Sequence, residues 1–214
     1  MNKNQKLETR CWGVLTALFI GLSLPLIGAE TFKDSSTGTE FPTTVSVSSD
    51  GEEHSLEATG ASVRKKFVFK VYAIAHYMQN PPSGNKEQVI SEILSSSEPK
   101  QMTMKWLRKV SQNRIVNGYK DTLQSVLGNK LTSIKPSLDK FLSFYKEDAK
   151  EGDVHVLRWL PEGKLELIVN ETSQGQLQDP VLAEAFWKMW FGKQSVVVPA
   201  QLVSRITNAS NSDQ

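Results

Sequence analysis

The clearest pattern in the chain is an alternation of side-chain types between Lys65 and Met78. One side is apolar or aromatic throughout and consists of Phe67, Phe69, Val71, Ala73, Ala75 and Tyr77. The other side starts with charged residues and consists of Arg64, Lys66, Val68, Lys70, Tyr72, Ile74 and His76. A period of two is that of a β-strand. We therefore predict a strand here, continuous or bent near residues 73–75. Apolar faces normally pack on a core, so the pattern by itself favours the side of Arg64 toward solvent, but it does not decide which face lines a ligand site.

Shorter stretches with strand character lie before and after this segment. Thr43–Ser49 and Glu53–Thr59 flank the pair Asp50-Gly51, a dipeptide that favours a tight hairpin turn. Further strands are predicted over Gln101–Val110, Val154–Leu160 and Lys164–Asn170.

Several stretches carry apolar residues at helical spacing instead. Glu87–Leu94 is the first, and a second helix is predicted after Ser111, a residue type that can cap a helix. A third has Pro136 near its first turn, and a fourth starts at Asp179-Pro180, an acidic cap followed by a first-turn proline. A short last helix is predicted over Pro199–Ile206. The sum is an α+β domain, an antiparallel sheet with helices on one side.

The first 29 residues have the pattern of a secretory signal peptide. Three basic residues, Lys3, Lys6 and Arg10, precede the uncharged apolar run Trp12–Ala29. The run ends in a small residue, so we predict cleavage between Ala29 and Glu30 and a periplasmic or secreted product. A retained anchor is the alternative, because a bilayer span takes about 20 apolar residues.

Cleavage at this point leaves a chain whose length suits one domain with a real core. Residues 30–40 are polar and are expected to form a flexible lead-in. Residues 41–206 are predicted to form the domain, and residues 207–214 a frayed tail.

Charge and composition narrow the chemistry. The chain has 25 basic and 23 acidic residues, and without the leader it has 22 of each, so no basic stripe predicts nucleic-acid binding. The single cysteine, Cys11, lies in the leader. The histidines, His54, His76 and His155, lack the spacing of a metal site. We expect no metal and no cofactor.

Three segments together resemble a known family. They are GASVRKKFVFKVYAIAHYM (60–78), MTMKWLRKVSQNRIVNGYKDTL (102–123) and AFWKMWFGKQSVVVPAQLV (185–203). They are similar to the bacterial chalcone isomerase-like domain, a relative of plant chalcone isomerases and of fatty-acid-binding proteins. The most specific feature is an arginine shortly before a KVYxxxxY strand, here Arg64 and residues 70–77. The resemblance covers about residues 40 to 206.

The resemblance implies an open-faced β-sandwich with a ligand cleft between the sheet and its helices. In the fatty-acid-binding relatives an arginine and a strand tyrosine hold the carboxylate, and the matching positions are Arg64 and Tyr72. A guanidinium offers a carboxylate two parallel donors and a phenol adds a third. Tyr77 is the reserve candidate if a bulge changes the register. The expected ligand is a small amphipathic or apolar acid.

Two other functions stay open at this point. In an isomerase or lyase acting on a small phenolic or cyclic compound, Arg64 would stabilise an oxyanion and Tyr72 or His76 would move a proton. Flavonoid-cyclising members, however, have threonine in place of Tyr72, and the order and spacing of their tyrosine and asparagine are not matched by Asn113, Asn117 and Tyr119. The third hypothesis is a non-catalytic structural module of the envelope that lacks the cleft.

Overall fold

The computed structural model describes residues 30–207, so the predicted signal peptide and nearly all of the predicted tail lie outside the described residues. Nine strands occur within this range: β1 (Thr31–Lys33), β2 (Glu40–Pro42), β3 (Thr44–Ser49), β4 (Glu52–Lys66), β5 (Phe69–Met78), β6 (Lys100–Trp106), β7 (Val154–Leu160), β8 (Lys164–Val169) and β9 (Thr172–Gln178). The helices are α1 (Lys86–Ser95), α2 (Gln112–Leu127), α3 (Leu131–Leu142), α4 (Pro180–Phe191) and α5 (Pro199–Leu202).

Strands β3 to β9 form one sheet in which each strand pairs antiparallel with the next strand in sequence. The sheet is curled, because Leu160 of β7 packs in the same cluster as Phe41 and Val47 near the opposite edge. Helices α1 to α4 cover one face. The predicted α+β fold, a large antiparallel sheet covered by helices, is thus confirmed. No helix within residues 30–207 combines the length and the apolar character needed to cross a membrane.

The strand predicted over residues 65–78 is wrong in one respect, since it contains a hairpin turn. β4 ends at Lys66, β5 begins at Phe69, and these two residues are paired across the hairpin. The turn between them is formed by Phe67 and Val68, with Phe67 at φ 55°. Neither glycine, asparagine nor proline marks this turn, and the alternation of side chains runs straight through it. The turn therefore left no signal in the sequence.

Both faces of β5 are buried, which corrects the expected division into a core side and a solvated side. Tyr72, Ile74 and Met78 pack with the helices in the larger hydrophobic cluster. Ala73, Ala75 and Tyr77 pack in a second, smaller cluster on the other face. In the sequence, the side of β5 that includes Tyr72 looked solvent-facing because charged residues share it. Those charged residues lie only near the hairpin turn, where β4 ends and β5 begins.

Residues 30–40, predicted to be a flexible lead-in, instead start a short hairpin. β1 pairs with β2 in antiparallel register. Asp34 organises the turn between them, because its carboxylate Oδ1 accepts hydrogen bonds from the backbone N–H groups of Ser36 and Thr37 at 3.1 and 2.8 Å. A polar segment rich in Asp, Ser and Thr can order itself in this way through side-chain to backbone bonds.

The helix starts follow the sequence prediction at one site and differ at another. The Asp179 carboxylate caps α4 by accepting a hydrogen bond from the N–H of Leu182 at 3.0 Å. Ser111 stands at the N-cap of α2 but makes no side-chain capping bond, and the Asp148 carboxylate accepts from the Gln112 N–H instead, at 2.9 Å. Pro136 lies inside α3 rather than near its first turn.

Candidate functional site

The candidate site is built on a row of three residues across the sheet. Arg64 on β4 is paired with Tyr72 on β5, and Tyr72 is paired with Trp106 on β6. Directly opposed residues of antiparallel strands point to the same face of a sheet. All three side chains therefore lie on the helix-covered face, where the rings of Tyr72 and Trp106 meet edge to face with centroids 5.3 Å apart.

This row borders a cavity of about 580 Å³ between the hairpin end of the sheet and helices α2 and α4. The volume falls in the range of about 300–1,000 Å³ that is usual for small-molecule sites. Buried, mostly apolar side chains form its inner part: Tyr72, Trp106, Ile115, Tyr119, Thr122 and Met189. Exposed residues mark its mouth: Lys66, Phe67, Phe69, Arg108, Lys109 and Arg114. The arrangement suits a ligand with one polar end and one apolar end.

Basic residues dominate the mouth. Arg64, Lys66, Arg108, Lys109 and Arg114 line the cavity together with a single acidic residue, Asp121. Within residues 30–207 only Lys109 of these five makes a salt bridge, with Asp148 at 3.3 Å. The entrance therefore has an uncompensated positive charge. Such a field attracts anions and raises their rate of association.

Inside the cavity the phenols are held as hydrogen-bond donors. Burial raises the pKa of Tyr72, against the opposing effect of the Arg64 charge and of the hydrogen bond from Trp190. Burial also raises the pKa of Tyr119. Both hydroxyls are therefore protonated at neutral pH, which suits them to donate to an anion and makes them poor bases.

The Tyr72 hydroxyl oxygen accepts a hydrogen bond, but its proton has no acceptor among residues 30–207. The Trp190 indole Nε1–H donates to its oxygen at 3.3 Å, which orients the phenol and leaves its proton for another partner. Tyr119 is satisfied differently, since its oxygen accepts from the Tyr145 hydroxyl at 2.9 Å and its proton points to the Met104 sulfur at 3.9 Å. Tyr72 is thus the phenol available to a ligand.

Trp106 adds a second unused donor. It is only 5% exposed, and its Nε1–H has no hydrogen-bond partner among the residues that the structure describes. A buried N–H without a partner costs about 1–3 kcal/mol, so such groups are usually paired. Because Trp106 also lines the cavity, a polar ligand atom could satisfy it.

The other two sequence candidates, His76 and Tyr77, do not line the cavity. Tyr77 lies on the opposite face of β5, and its hydroxyl donates to the backbone carbonyl of Pro42 at 3.0 Å. The bulges in the β4–β5 ladder do not bring it to the helix side. It has a structural role in joining β5 to β2.

His76 is on the helix side but is sealed in a hydrogen-bond chain. The Trp187 indole donates to its Nε2 at 3.1 Å, so the ring proton is on Nδ1, which is 2.7 Å from the Thr59 hydroxyl. That hydroxyl donates to the Leu202 carbonyl at 2.6 Å. Burial lowers the pKa of His76 well below its usual value. The imidazole is neutral and fixed, and it cannot reach a cavity ligand.

Sequence reasoning missed several residues of this site. Trp106, Arg108 and Arg114 fall within the segment 102–123 that resembles the family, but neither the resemblance nor the pattern assigned them a role in a site. They meet Arg64 only because β4, β5, β6 and α2 converge at the hairpin end. Within residues 30–207 no cluster of three or more metal-ligating side chains exists.

Comparison with known proteins shows which fold and which family this chain shares. Compared with curated protein sequences, the chain has no significant match. Among solved structures it is similar to the crystal structure of a fatty-acid binding protein of Arabidopsis thaliana, with a TM-score of 0.67 and 15% sequence identity. The match covers 83% of this chain and 96% of the plant protein. At this identity the likeness shows a shared fold. The model of the chalcone isomerase-like family matches residues 33–201, and the chain therefore belongs to that family.

Proposed function

We propose that the protein binds a fatty acid or a similar amphipathic carboxylate in the cavity beside Arg64. The observation that carries this proposal is the Arg64–Tyr72 pair at the entrance of an apolar cavity. The guanidinium would take the carboxylate, the free Tyr72 proton would add a hydrogen bond, and Ile115 and Met189 would contact the acyl chain. The plant neighbour, whose name describes it as a fatty-acid binding protein, supports the same choice.

The open volume beside Arg64 also favours binding over the structural-module hypothesis, in which this space would be filled by side chains. The isomerase hypothesis has less support. Its proton-transfer candidate His76 is enclosed away from the cavity, and the cavity phenols are held protonated. These groups can stabilise negative charge but are not placed to remove a proton.

The test compares two properties of one ligand series. Purified wild-type protein and the variant Arg64→Gln are analysed by mass spectrometry for co-purifying ligands, then titrated with a long-chain fatty acid and with the matching fatty alcohol. Charged hydrogen bonds contribute about 1.5–3 kcal/mol, so Arg64→Gln should weaken acid binding by about tenfold or more and leave alcohol binding nearly unchanged. Arg205→Gln is the control, because the Arg205 guanidinium lies away from the cavity, over the Phe32 ring at 4.6 Å.

Two results would contradict the proposal. One is the absence of both a co-purifying acid and saturable acid binding in the wild-type protein. The other is equal loss of acid and alcohol binding in Arg64→Gln, which would mean that the variant damages the cavity and that the guanidinium does not recognise the carboxylate. Catalysis of chalcone cyclisation that depends on Arg64 would restore the isomerase hypothesis.

We further propose that the protein is exported and acts in the periplasm or outside the cell. The support is the sequence pattern of residues 1–29, with basic residues before the apolar run Trp12–Ala29. Intact-mass measurement on protein recovered from its native compartment tests this. A mature chain starting at Glu30 is expected, and a chain that retains residues 1–29 in the cytoplasm would contradict it.

A further inference from the structure

The turn of the β4–β5 hairpin exposes large apolar side chains. Phe67 is 89% exposed, Val68 is 85% exposed and Phe69 is 55% exposed. We call Phe67, Val68 and Phe69 the apolar tip. Isolated apolar residues on a surface are ordinary, but adjacent ones at the end of a projecting hairpin are not, and such patches mark interaction sites.

The backbone conformation of the apolar tip is unfavourable for the residue it contains at position 67, so the requirements of folding do not explain that residue. Phe67 has φ 55°, in the left-handed region where Gly or Asn is favoured and a bulky residue is disfavoured. Glycine or asparagine would form the same turn at lower conformational cost. A phenylalanine that is nearly fully exposed gains almost nothing from packing in return, so its side chain is better explained by a contact outside the folded domain.

The tip is surrounded by basic residues. Arg64, Lys65, Lys66 and Lys70 flank it in sequence. Arg108 reaches it from the segment after β6, with its guanidinium 4.6 Å from the centre of the Phe69 ring. Arg114 of α2 and Lys109 line the same cavity mouth. Among residues 30–207, Asp121 is the one acidic residue that lines this mouth, and Asp148 is paired with Lys109.

We propose that the apolar tip and its basic surroundings dock on the surface of an anionic lipid membrane. Exposed aromatic and aliphatic side chains enter the boundary between headgroups and acyl chains, while lysine and arginine contact the anionic headgroups. This combination suits a membrane better than nucleic acid, whose phosphates offer nothing to Phe67 and Val68. A second copy meeting the tip face to face would oppose two clusters of positive charge, which disfavours a dimer here.

The docking surface and the cavity mouth share Lys66, Phe67, Phe69 and Arg108. Docking would therefore place the entrance of the cavity against the lipid, where amphipathic acids reside. The inference goes beyond the proposed function and does not depend on it, since the tip, its charges and its exposure are the same whatever the cavity holds.

The test is flotation of the chain starting at Glu30, which contains every described element and both hydrophobic clusters, with lipid vesicles. Vesicles of phosphatidylcholine alone are compared with vesicles in which phosphatidylglycerol replaces part of it. We expect binding to the anionic vesicles, weakened by salt because headgroup attraction is screened. The salt dependence needs no variant and tests the electrostatic part of the proposal by itself.

Matched variants test the residues. The double variant Phe67→Ser, Val68→Ser should lose about tenfold or more in vesicle affinity. The control, Val181→Ser with Val198→Ser, changes two other exposed apolar residues that are 56% and 51% exposed, and it should not. Lys66→Gln should lose about fivefold, the effect of one basic residue near an anionic surface, and Lys86→Gln at the start of α1 should lose little. Circular dichroism checks that each variant is folded.

The inference is overturned if the wild-type chain ignores anionic vesicles or if the tip variant floats as well as its control. Self-association that the tip variant abolishes, without vesicle binding, would also overturn it and assign the tip to a second copy. Fatty-acid binding without vesicle binding would overturn the proposed membrane docking and leave the proposed function standing. Vesicle binding without fatty-acid binding would remove the proposed function alone.

Discussion

Arg64 and Tyr72 face each other directly across the β4–β5 hairpin, immediately beside a shift in the ladder register between Arg64 and Lys65. This pairing places a guanidinium and a phenol on the same face at the opening of one cavity. Backbone pairing fixes the two residues side by side, so no ligand is needed to bring them together. A site prepared in this way loses little conformational entropy on binding.

Tyr72 and Tyr77 lie on opposite faces of β5, so replacing each in turn tests which face contacts the ligand. Tyr72→Phe removes the phenol proton available to a ligand, and we expect it to weaken fatty-acid binding by about tenfold. Tyr77→Phe removes only the hydrogen bond to Pro42 and should leave binding unchanged while costing about 1 kcal/mol of stability. Isothermal titration and urea unfolding measure the two effects. The reverse order of binding losses would show that the ligand lies on the other face.

Gly60 gives a stability prediction, because a Cβ at this position would lie 2.3 Å from the Gln201 carbonyl oxygen. Gly60→Ala should therefore push α5 from β4 and destabilise the protein by several kcal/mol, since neither backbone can yield. Gly118→Ala is the control, because a Cβ there meets nothing within 4 Å and alanine favours a helix by roughly 0.5–1 kcal/mol. In urea unfolding, the free energy of unfolding of Gly60→Ala should be lower than that of the wild type, and that of Gly118→Ala should be higher. Equal stabilities would refute the close packing of α5 on Gly60.

The helix caps allow a similarly matched comparison. Asp179→Ala removes a side-chain bond to the Leu182 N–H and should destabilise the protein by about 1 kcal/mol. Ser111→Ala changes an N-cap residue whose side chain makes no capping bond, so its effect should be close to zero. Thermal unfolding of both variants provides the measurement. A larger loss from the Ser111 variant would contradict the assigned caps.

His155 predicts a dependence of stability on pH. It lies under the rings of Trp106 and Tyr145, and burial lowers its pKa from 6.5 to about 4. The unfolded chain therefore binds a proton between these values that the folded protein does not, so stability falls as pH decreases from about 6.5 toward 4. The loss should reach roughly 3 kcal/mol. Because burial also lowers the pKa of His76, His155→Phe should reduce the slope of this part of the curve in urea titrations without removing it, and an unchanged slope would contradict the assignment.

Much of the fold was predictable because local patterns and tertiary structure agree. The Asp50-Gly51 turn, the Asp179-Pro180 start of α4 and the hairpin of β7 and β8 were all marked by residues with a specific conformational preference. Strand β9 was missed, since its sequence TSQGQLQ is polar and contains a glycine, and its pairing with β8 alone makes it a strand.

The site was predictable only in part. Arg64 and Tyr72 were identified through the family resemblance, and the argument that they share a face relied on a continuous strand that does not exist. They share a face because the turn at Phe67 folds one onto the other. The roles of Trp106, Tyr119 and Trp190 could not be predicted, because they depend on how α2 and α4 lie over the sheet.

The order of the strands has a consequence for how the chain assembles. Every pairing in the seven-stranded sheet joins strands that follow one another along the chain, so the sheet can grow strand by strand as the polypeptide is synthesised. The C-terminal segment returns to β4 over a long sequence distance, since the Leu202 carbonyl accepts from Thr59 and the Gln201 side chain accepts from Ser62 across more than half of the chain. These two bonds can form only after residues 201 and 202 have been synthesised. A chain that ends before residue 199 would lack the Leu202 carbonyl that accepts from the Thr59 hydroxyl, and so would leave unfinished the hydrogen-bond chain that runs from His76 through Thr59.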